Sequence, residues 1–174
     1  PNYSFAAAKL LLNCLYKEVF KEGVDSDTFE LQYRKSFVYN IKKMASKSIL
    51  NEKILEFDLK MLSESLVIDR DDKFKYLGIQ ILTDRYFIRQ DKKIMESPQA
   101  FWMRVAMGLA LNEENKNEKA IEFYNLFSQF LYTPSTPTLF NSGTAHSQLS
   151  SCYLNTFDDS IDGIFDGAWQ EARK

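Results

Sequence analysis

Cysteine and histidine are scarce in this chain: its 174 residues include two cysteines and one histidine. Two cysteines cannot form the disulfide framework that holds small secreted proteins together. With His146 as the single histidine, the sequence argues against a zinc site built from cysteine and histidine ligands. Cys14 and Cys152 must therefore be explained as packing residues or as reactive thiols.

Excess positive charge and long apolar runs are also missing. Lys and Arg number 22 against 24 Asp and Glu, a net charge of −2, so the chain lacks the basic surface typical of nucleic-acid-binding domains. The longest apolar runs are too short to span a membrane, and no signal peptide is recognisable. We therefore expect a cytoplasmic protein with no nucleic-acid or membrane partner.

Length and composition fit one globular domain, or one domain and part of another. Hydrophobic residues make up 45% of the chain, which is enough to bury a core without disulfides or metals. The chain begins with Pro1 rather than methionine and stops at Lys174 within sequence that predicts a helix. We expect a trimmed chain or one part of a split protein, so residues that its chemistry needs can lie outside it.

Helical periodicity dominates the first half of the chain. The first helix is predicted to be capped by Ser4 and to end before Gly23, and Cys14 is assigned to its buried face. Its apolar positions are Phe5, Ala8, Leu11, Leu12, Leu15 and Phe20. The segments "DTFELQYRKSFVYNIKKMA" and "NEKILEFDLKMLSESL" predict two further helices. A fourth is expected to begin with the acidic turn "DRDD", which suits the helix dipole, and to bury Leu77, Ile81 and Leu82.

A β-hairpin is predicted next, with its polar turn at residues 90–93. Ser97 and Pro98 then form a typical helix start, with serine at the N-cap and proline at the first helical position. The helix that follows is predicted over residues 99–111. Another is indicated by Ile121, Tyr124, Phe127 and Leu131 at spacings of three and four.

Residues 132–162 are different, because they are small, polar and loop-like. Pro134 and Pro137 should prevent a regular helix here, and residues 148–155 predict a strand. A final helix should begin at Asp158, Asp159 or Ser160. Hydroxyl groups and backbone donors suited to an oxyanion or a nucleotide phosphate are concentrated in this loop, although a turn-rich connector has the same composition. These residues are Thr136, Thr138, Asn141, Ser142, Gly143 and Thr144.

The residues alone leave two alternatives open at each remaining candidate. Cys152 is either an inert, buried cysteine or a redox thiol that needs a partner. Asp158 and Asp159 are either helix caps or a functional pair, serving as acid and base, as metal ligands, or as acceptors for a ribose or a base.

Three segments in this order, "STPTLFNSGT", "QLSSCYL" and "DDSIDGIF", resemble the large, catalytic subunit of ribonucleotide reductase. The resemblance is strongest to the class I enzymes that act on ribonucleoside diphosphates, and the cobalamin-dependent class has related motifs. Weaker similarity in "DRDDKF" and in the "RYFIRQ…KIMES" hairpin extends it over nearly the whole chain. It implies a mainly α fold with a small β-hairpin. Residues 1–133 would be the N-terminal helical domain, without the regulatory cone that usually precedes it. Residues 134–174 would be the substrate loop and the first strand and helix of a ten-stranded α/β barrel.

The resemblance also implies roles for individual residues. Thr136 and Thr138 would meet the substrate's phosphate or sugar, and Ser151 would form a hydrogen bond with the substrate. Cys152 would be the catalytic member of a redox-active cysteine pair that supplies electrons for removing the ribose 2′-hydroxyl. The nucleoside triphosphate effector that selects the substrate would bind at Asp159, Ser160 and Ile161.

Further components are implied that this chain does not contain. The second redox cysteine and the radical-bearing cysteine would lie in the remaining C-terminal part of the large subunit. The radical would come from a metal-containing small subunit, so this chain would hold no metal or other cofactor itself. Thioredoxin or glutaredoxin would reduce the disulfide, and the large subunit would form a homodimer. The alternative is a non-catalytic nucleotide-binding or helical interaction module that keeps the fold.

Overall fold

The structure, a computed structural model, describes residues 2–20 and 23–173. Its two strands, β1 (Arg89–Gln90) and β2 (Lys93–Ile94), form an antiparallel hairpin. The α-helices of the described residues are α1 (Asn2–Val19), α2 (Phe29–Ser46), α3 (Leu59–Glu64), α4 (Tyr76–Ile81), α5 (Pro98–Leu109), α6 (Lys116–Ser128), α7 (Thr136–Asn141) and α8 (Ile161–Ala172). The prediction of a mainly α fold with a small hairpin is confirmed, whereas the continuation into a barrel stays a prediction, as does the boundary at residue 133.

Helix α5 is the centre of the core, because every residue from Pro98 to Met107 is buried. It packs against α6 through a continuous set of apolar and aromatic side chains, while α1 packs against α4. The predicted start of α5 is confirmed in position, with Ser97 at the N-cap and Pro98 in the first turn, but the Ser97 side chain makes no capping hydrogen bond. A mainly apolar helix that is buried on all sides lies inside the protein, and α5 therefore supports the segments packed around it.

The hairpin is also confirmed. Asp91 and Lys92 form its two-residue turn, and both have positive φ angles, 50° and 68°. Two consecutive positive φ angles give a turn whose twist matches that of the two strands.

Two of the predicted helices are interrupted. The segment 51–66 forms a 3₁₀ helix (Glu52–Glu56) and then α3, which Asp58 caps by accepting hydrogen bonds from the backbone N–H groups of Lys60 and Met61. The acidic turn does not begin a long α-helix either: it forms a separate 3₁₀ helix (Ile68–Lys73) before α4. A π-helical turn, Leu82–Tyr86, follows α4.

Several side-chain assignments were wrong. Helix α1 begins before Ser4, whose hydroxyl oxygen accepts from Tyr76 N instead of capping. Cys14 is exposed, not in the core. In α4 the buried residue is Ile79, so Leu82 shares the buried face while Leu77 and Ile81 are turned outward by the helical period. Leu131 lies beyond the end of α6 and is exposed.

Residues 132–162 differ from prediction in two respects. Pro137 does not prevent a helix but lies in the first turn of α7, where its missing N–H would have had no intrahelical partner. Residues 148–155 do not form a strand. A strand requires a neighbour for its backbone hydrogen bonds, and no strand of the described residues lies beside this segment.

Within residues 2–20 and 23–173, no helix combines the length and the apolar composition that a membrane span requires.

Candidate functional site

Helix α7 and the turn after it, residues 142–145, are fixed to the central helix α5. Leu139 is buried, and the Ser142 hydroxyl donates to Val105 O at 2.7 Å. Gly108 lies so close to the turn that a Cβ atom there would be 2.0 Å from Gly143 N. The backbone of α5 and the backbone of the turn are therefore in direct contact.

A buried ion pair completes this attachment. Arg104 and Glu96 are fully buried, with Arg104 Nε 2.8 Å from Glu96 Oε1. Arg104 Nη1 donates to the carbonyl oxygens of Leu139 at 3.0 Å and Ser142 at 2.9 Å. One guanidinium group thus binds both a carboxylate and the backbone at the end of α7.

The other side of the turn is joined to the segment after α2. Asn51 N donates to Gly143 O and Ala145 N donates to Ile49 O, both at 3.0 Å. Leu50 and Thr144 form an isolated antiparallel bridge between these hydrogen bonds. The turn is therefore held from two directions.

The predicted substrate-loop threonines lie on α7. Thr136 is exposed, and its hydroxyl is 3.2 Å from the hydroxyl of Tyr86. Thr138 is half-buried, and its hydroxyl donates to Leu149 O at 3.5 Å. Asn141 Nδ2 donates to Gln148 O at 2.7 Å, so α7 is connected to the segment that leads to Cys152.

Ser151 and Cys152 lie beside each other in an exposed segment without regular secondary structure. The hydroxyl of Ser151 and the Sγ of Cys152 are 3.7 Å apart, and either atom can be the donor. Cys152 is exposed, so within the described residues it is not a buried packing residue, and its redox role stays a prediction. A thiol has to be accessible to react with a second thiol or disulfide, and Cys152 meets that requirement.

The predicted effector residues lie at the start of α8. Ser160 is the N-cap, and its hydroxyl oxygen accepts from Gly163 N at 3.0 Å. The cap is therefore Ser160 rather than Asp158 or Asp159. Both aspartates are exposed, as is Ile161, and their carboxylates are available to a ligand. No cluster of three His, Cys, Asp or Glu suited to a metal ion occurs within residues 2–20 and 23–173.

Helix α8 has an apolar face directed away from the described core. Ile161, Ile164, Phe165 and Trp169 are more than half exposed. Its contact with the preceding segment is made at Gly167, where an added Cβ would lie 2.0 Å from the ring of Phe157.

Sequence reasoning missed the residues that hold the site in place. Tyr86 meets Thr136 and its ring stacks on Phe140, with centroids 4.6 Å apart. Arg104 and Glu96 fix the end of α7. The available signal was Arg104 itself, since a charged residue within the apolar run "FWMRVAM" must have a buried partner.

Comparison with known proteins gives a consistent family. Residues 72–147 match the family described as ribonucleotide reductase, all-alpha domain. The ribonucleoside-diphosphate reductase subunit alpha of Chlamydia muridarum is 50% identical over 165 residues, which are 95% of this chain and 16% of that protein. The same subunit of Helicobacter pylori is 39% identical over 167 residues, 95% of this chain and 20% of that protein. The ribonucleoside-diphosphate reductase large chain of Schizosaccharomyces pombe is 38% identical over 170 residues, again 95% of this chain and 20% of that protein.

Nearly all of this chain is matched, while it spans only 16% to 20% of the length of these relatives. The mainly helical architecture agrees with the all-alpha description of the matched family. The match to the Chlamydia muridarum protein also extends beyond residues 72–147 and covers 95% of the chain. Over nearly its whole length the chain is therefore similar to the large subunits of ribonucleotide reductases.

Proposed function

We propose that this chain is part of a catalytic large subunit that reduces ribonucleoside diphosphates to deoxyribonucleotides. The relatives named as ribonucleoside-diphosphate reductases support the reaction class. The observation that favours a catalytic role is the exposed Cys152 beside Ser151. The segment that contains them is tied to α7 through Thr138 and Asn141.

Cys152 supplies one of the two thiols in the proposed reaction, and another part of the large subunit supplies the second. The two thiols give up two electrons and two protons and form a disulfide. The ribose 2′-hydroxyl leaves as water, and C2′ gains a hydrogen. The radical that initiates this exchange comes from a metal-containing small subunit. Thioredoxin or glutaredoxin then reduces the disulfide by thiol exchange, which requires an accessible sulfur atom.

Substrate contacts are assigned to Thr136, Thr138 and Ser151. Their hydroxyl groups can donate to phosphate or ribose oxygens and accept from ribose hydroxyls. Thr136 and Ser151 are exposed. Thr138 is half-buried and connects α7 to the segment that leads to Ser151.

The effector site is assigned to Asp159, Ser160 and Ile161 at the start of α8. The exposed carboxylate of Asp159 is an acceptor for ribose hydroxyls or base N–H groups. Ile161 is 74% exposed and offers an apolar surface to a base. The apolar face of α8 fits the large-subunit homodimer that the family resemblance implies.

The test uses the full-length large subunit with its small subunit, a triphosphate effector and thioredoxin. We expect Cys152→Ser to reduce multiple-turnover formation of deoxyribonucleotide to background, because no disulfide can form. Cys14→Ser is the matched control: Cys14 is also exposed but lies in α1, and this variant should keep wild-type turnover.

Wild-type turnover in Cys152→Ser would contradict the role of Cys152, and equal loss of turnover in both variants would contradict the assignment of Cys14 as a residue without a role in turnover. A wild-type subunit that binds nucleotides but forms no deoxyribonucleotide would favour the non-catalytic nucleotide-binding module instead.

A further inference from the structure

We propose that Arg104 is a positioning residue for substrate binding, holding the end of α7 so that Thr136 and Thr138 meet the substrate; this rests on the function proposed above. Arg104 itself is buried and does not touch the substrate. Its effect is exerted through the backbone of residues 139–143.

The hydrogen bonds of Arg104 are divided between a fixed partner and the loop. Nε and Nη2 donate to the two carboxylate oxygens of Glu96, at 2.8 Å and 3.2 Å. Nη1 donates to Leu139 O and Ser142 O. Carbonyl oxygens at the end of a helix have no intrahelical partner, and an arginine near that end can satisfy them.

Glu96 gives the arginine a fixed orientation. Its Oε2 also accepts from Ile88 N at 2.8 Å, so the carboxylate is tied to the start of the hairpin as well as to α5. Replacing a buried ion pair with apolar residues is often neutral or stabilising. A gain in overall stability is therefore a weak explanation for the Arg104–Glu96 ion pair. The two loop carbonyls that Arg104 binds point instead to a role in fixing backbone geometry.

Two other residues of α5 contact the same stretch of backbone. Val105 O accepts from the Ser142 hydroxyl, and Gly108 leaves room for Gly143. Gly143 has a φ angle of 78°, a conformation that strongly favours glycine. Arg104, Val105 and Gly108 therefore hold one turn in one defined conformation.

A displacement of this turn would move the residues that are proposed to bind substrate and to carry the reactive thiol. Thr138 is only one residue before Leu139, whose carbonyl oxygen Arg104 binds. Asn141 Nδ2 donates a hydrogen bond to Gln148 O, which lies shortly before Ser151 and Cys152 in the sequence. The hydrogen bonds from Arg104 to the end of α7 thus determine where Thr136 and Thr138 lie and where the segment that leads to Cys152 begins.

The test measures steady-state kinetics of the full-length large subunit with its small subunit. Arg104→Lys keeps the charge opposite Glu96 but lacks the planar fork that binds carboxylate and carbonyls together. We expect KM for the ribonucleoside diphosphate to rise by about tenfold or more, since small misplacements of binding groups are costly. Affinity for the triphosphate effector should stay at the wild-type value.

Arg34→Lys is the matched control. Arg34 pairs with Glu30 and donates to the carbonyl oxygens of Ser63 and Leu66. Like Arg104 it therefore binds one carboxylate and two backbone carbonyl oxygens, but it has no hydrogen bond to α7. If Arg104 had only a structural role, both variants would lower the melting temperature and leave KM unchanged.

Gly108→Ala provides a second test if Arg104→Lys does not fold. Alanine favours the helix more than glycine, but its Cβ would collide with the backbone of Gly143 and Ser142 and displace the turn. We expect KM to rise here as well, with the ion pair intact.

The outcomes separate the two proposals. A wild-type enzyme that forms no deoxyribonucleotide overturns the proposed function and this inference with it. If the wild type is active and Cys152→Ser is inactive, wild-type KM in folded Arg104→Lys or, where that variant does not fold, in Gly108→Ala overturns the inference alone.

Discussion

The stability of this fold should depend on pH through Asp71, a carboxylate buried among α1, α2 and α5. Its Oδ2 accepts from the hydroxyls of Tyr16 at 2.7 Å and Tyr33 at 2.9 Å, and its Oδ1 accepts from Gln99 Nε2 at 2.7 Å. Burial raises the pKa of Asp71 from 3.8 to about 6, and the three hydrogen bonds offset only part of that increase. The folded protein therefore holds a proton on Asp71 at pH values where the unfolded chain has lost it.

This difference stabilises the folded state at low pH. The contribution is fully present below about pH 3.8 and is lost as the pH rises through about 6. The gap between the two pKa values corresponds to about 3 kcal/mol of unfolding free energy. A protonated Asp71 can donate to a tyrosine hydroxyl, because such a hydroxyl also accepts.

Urea unfolding of the wild type and of Asp71→Asn between about pH 4 and pH 7.5 measures this contribution. Asparagine does not titrate, so the stability of the wild type relative to Asp71→Asn should fall by about 2 kcal/mol across that range. Asp72→Asn is the control, since the neighbouring Asp72 is 64% exposed and pairs with Lys9 at 3.4 Å. Parallel pH profiles for the wild type and Asp71→Asn would refute the reasoning, because they would mean that the pKa of Asp71 is not raised.

Two other substitutions have simpler expected outcomes. In the full-length subunit, Asp159→Ala should weaken binding of the triphosphate effector more than binding of substrate, because it removes an exposed acceptor at the start of α8; equilibrium binding of each nucleotide measures this, and unchanged effector affinity would contradict it. Asp58→Ala should lower the unfolding free energy by about 1 kcal/mol, because Asp58 Oδ1 accepts from Lys60 N and Met61 N at the start of α3. An unchanged midpoint in a denaturant titration would contradict that expectation.

Helix α1 shows what periodicity predicts and where it fails. Ala8, Leu12 and Leu15 were expected inside and are buried, because positions three and four apart share a helix face. Cys14 was assigned to the same face only because its neighbours in sequence are apolar. At 100° per residue it lies on the opposite side of α1 from Leu12, so the period itself, applied strictly, predicts its exposure.

The hairpin and the start of α5 were predictable because their signals are local. A short polar turn between β-prone residues indicates a hairpin, and Ser97 followed by Pro98 indicates a helix start. The strand expected at residues 148–155 depends instead on a neighbouring strand, which local sequence does not supply. Helix α7 was missed for a different, local reason: proline prevents helix continuation but is compatible with the first turn.

The support of the candidate site was unpredictable for a related reason. Arg104 binds Leu139 and Ser142, which are 35 and 38 residues away in sequence, and no spacing rule connects residues that far apart. What the sequence does indicate is a requirement: a charge within an apolar helix must have polar partners. The structure shows that those partners include the backbone that ends α7. A charge in an otherwise apolar helix is thus a useful sequence marker for a buried attachment point, and here that point lies beside the threonines proposed to bind substrate.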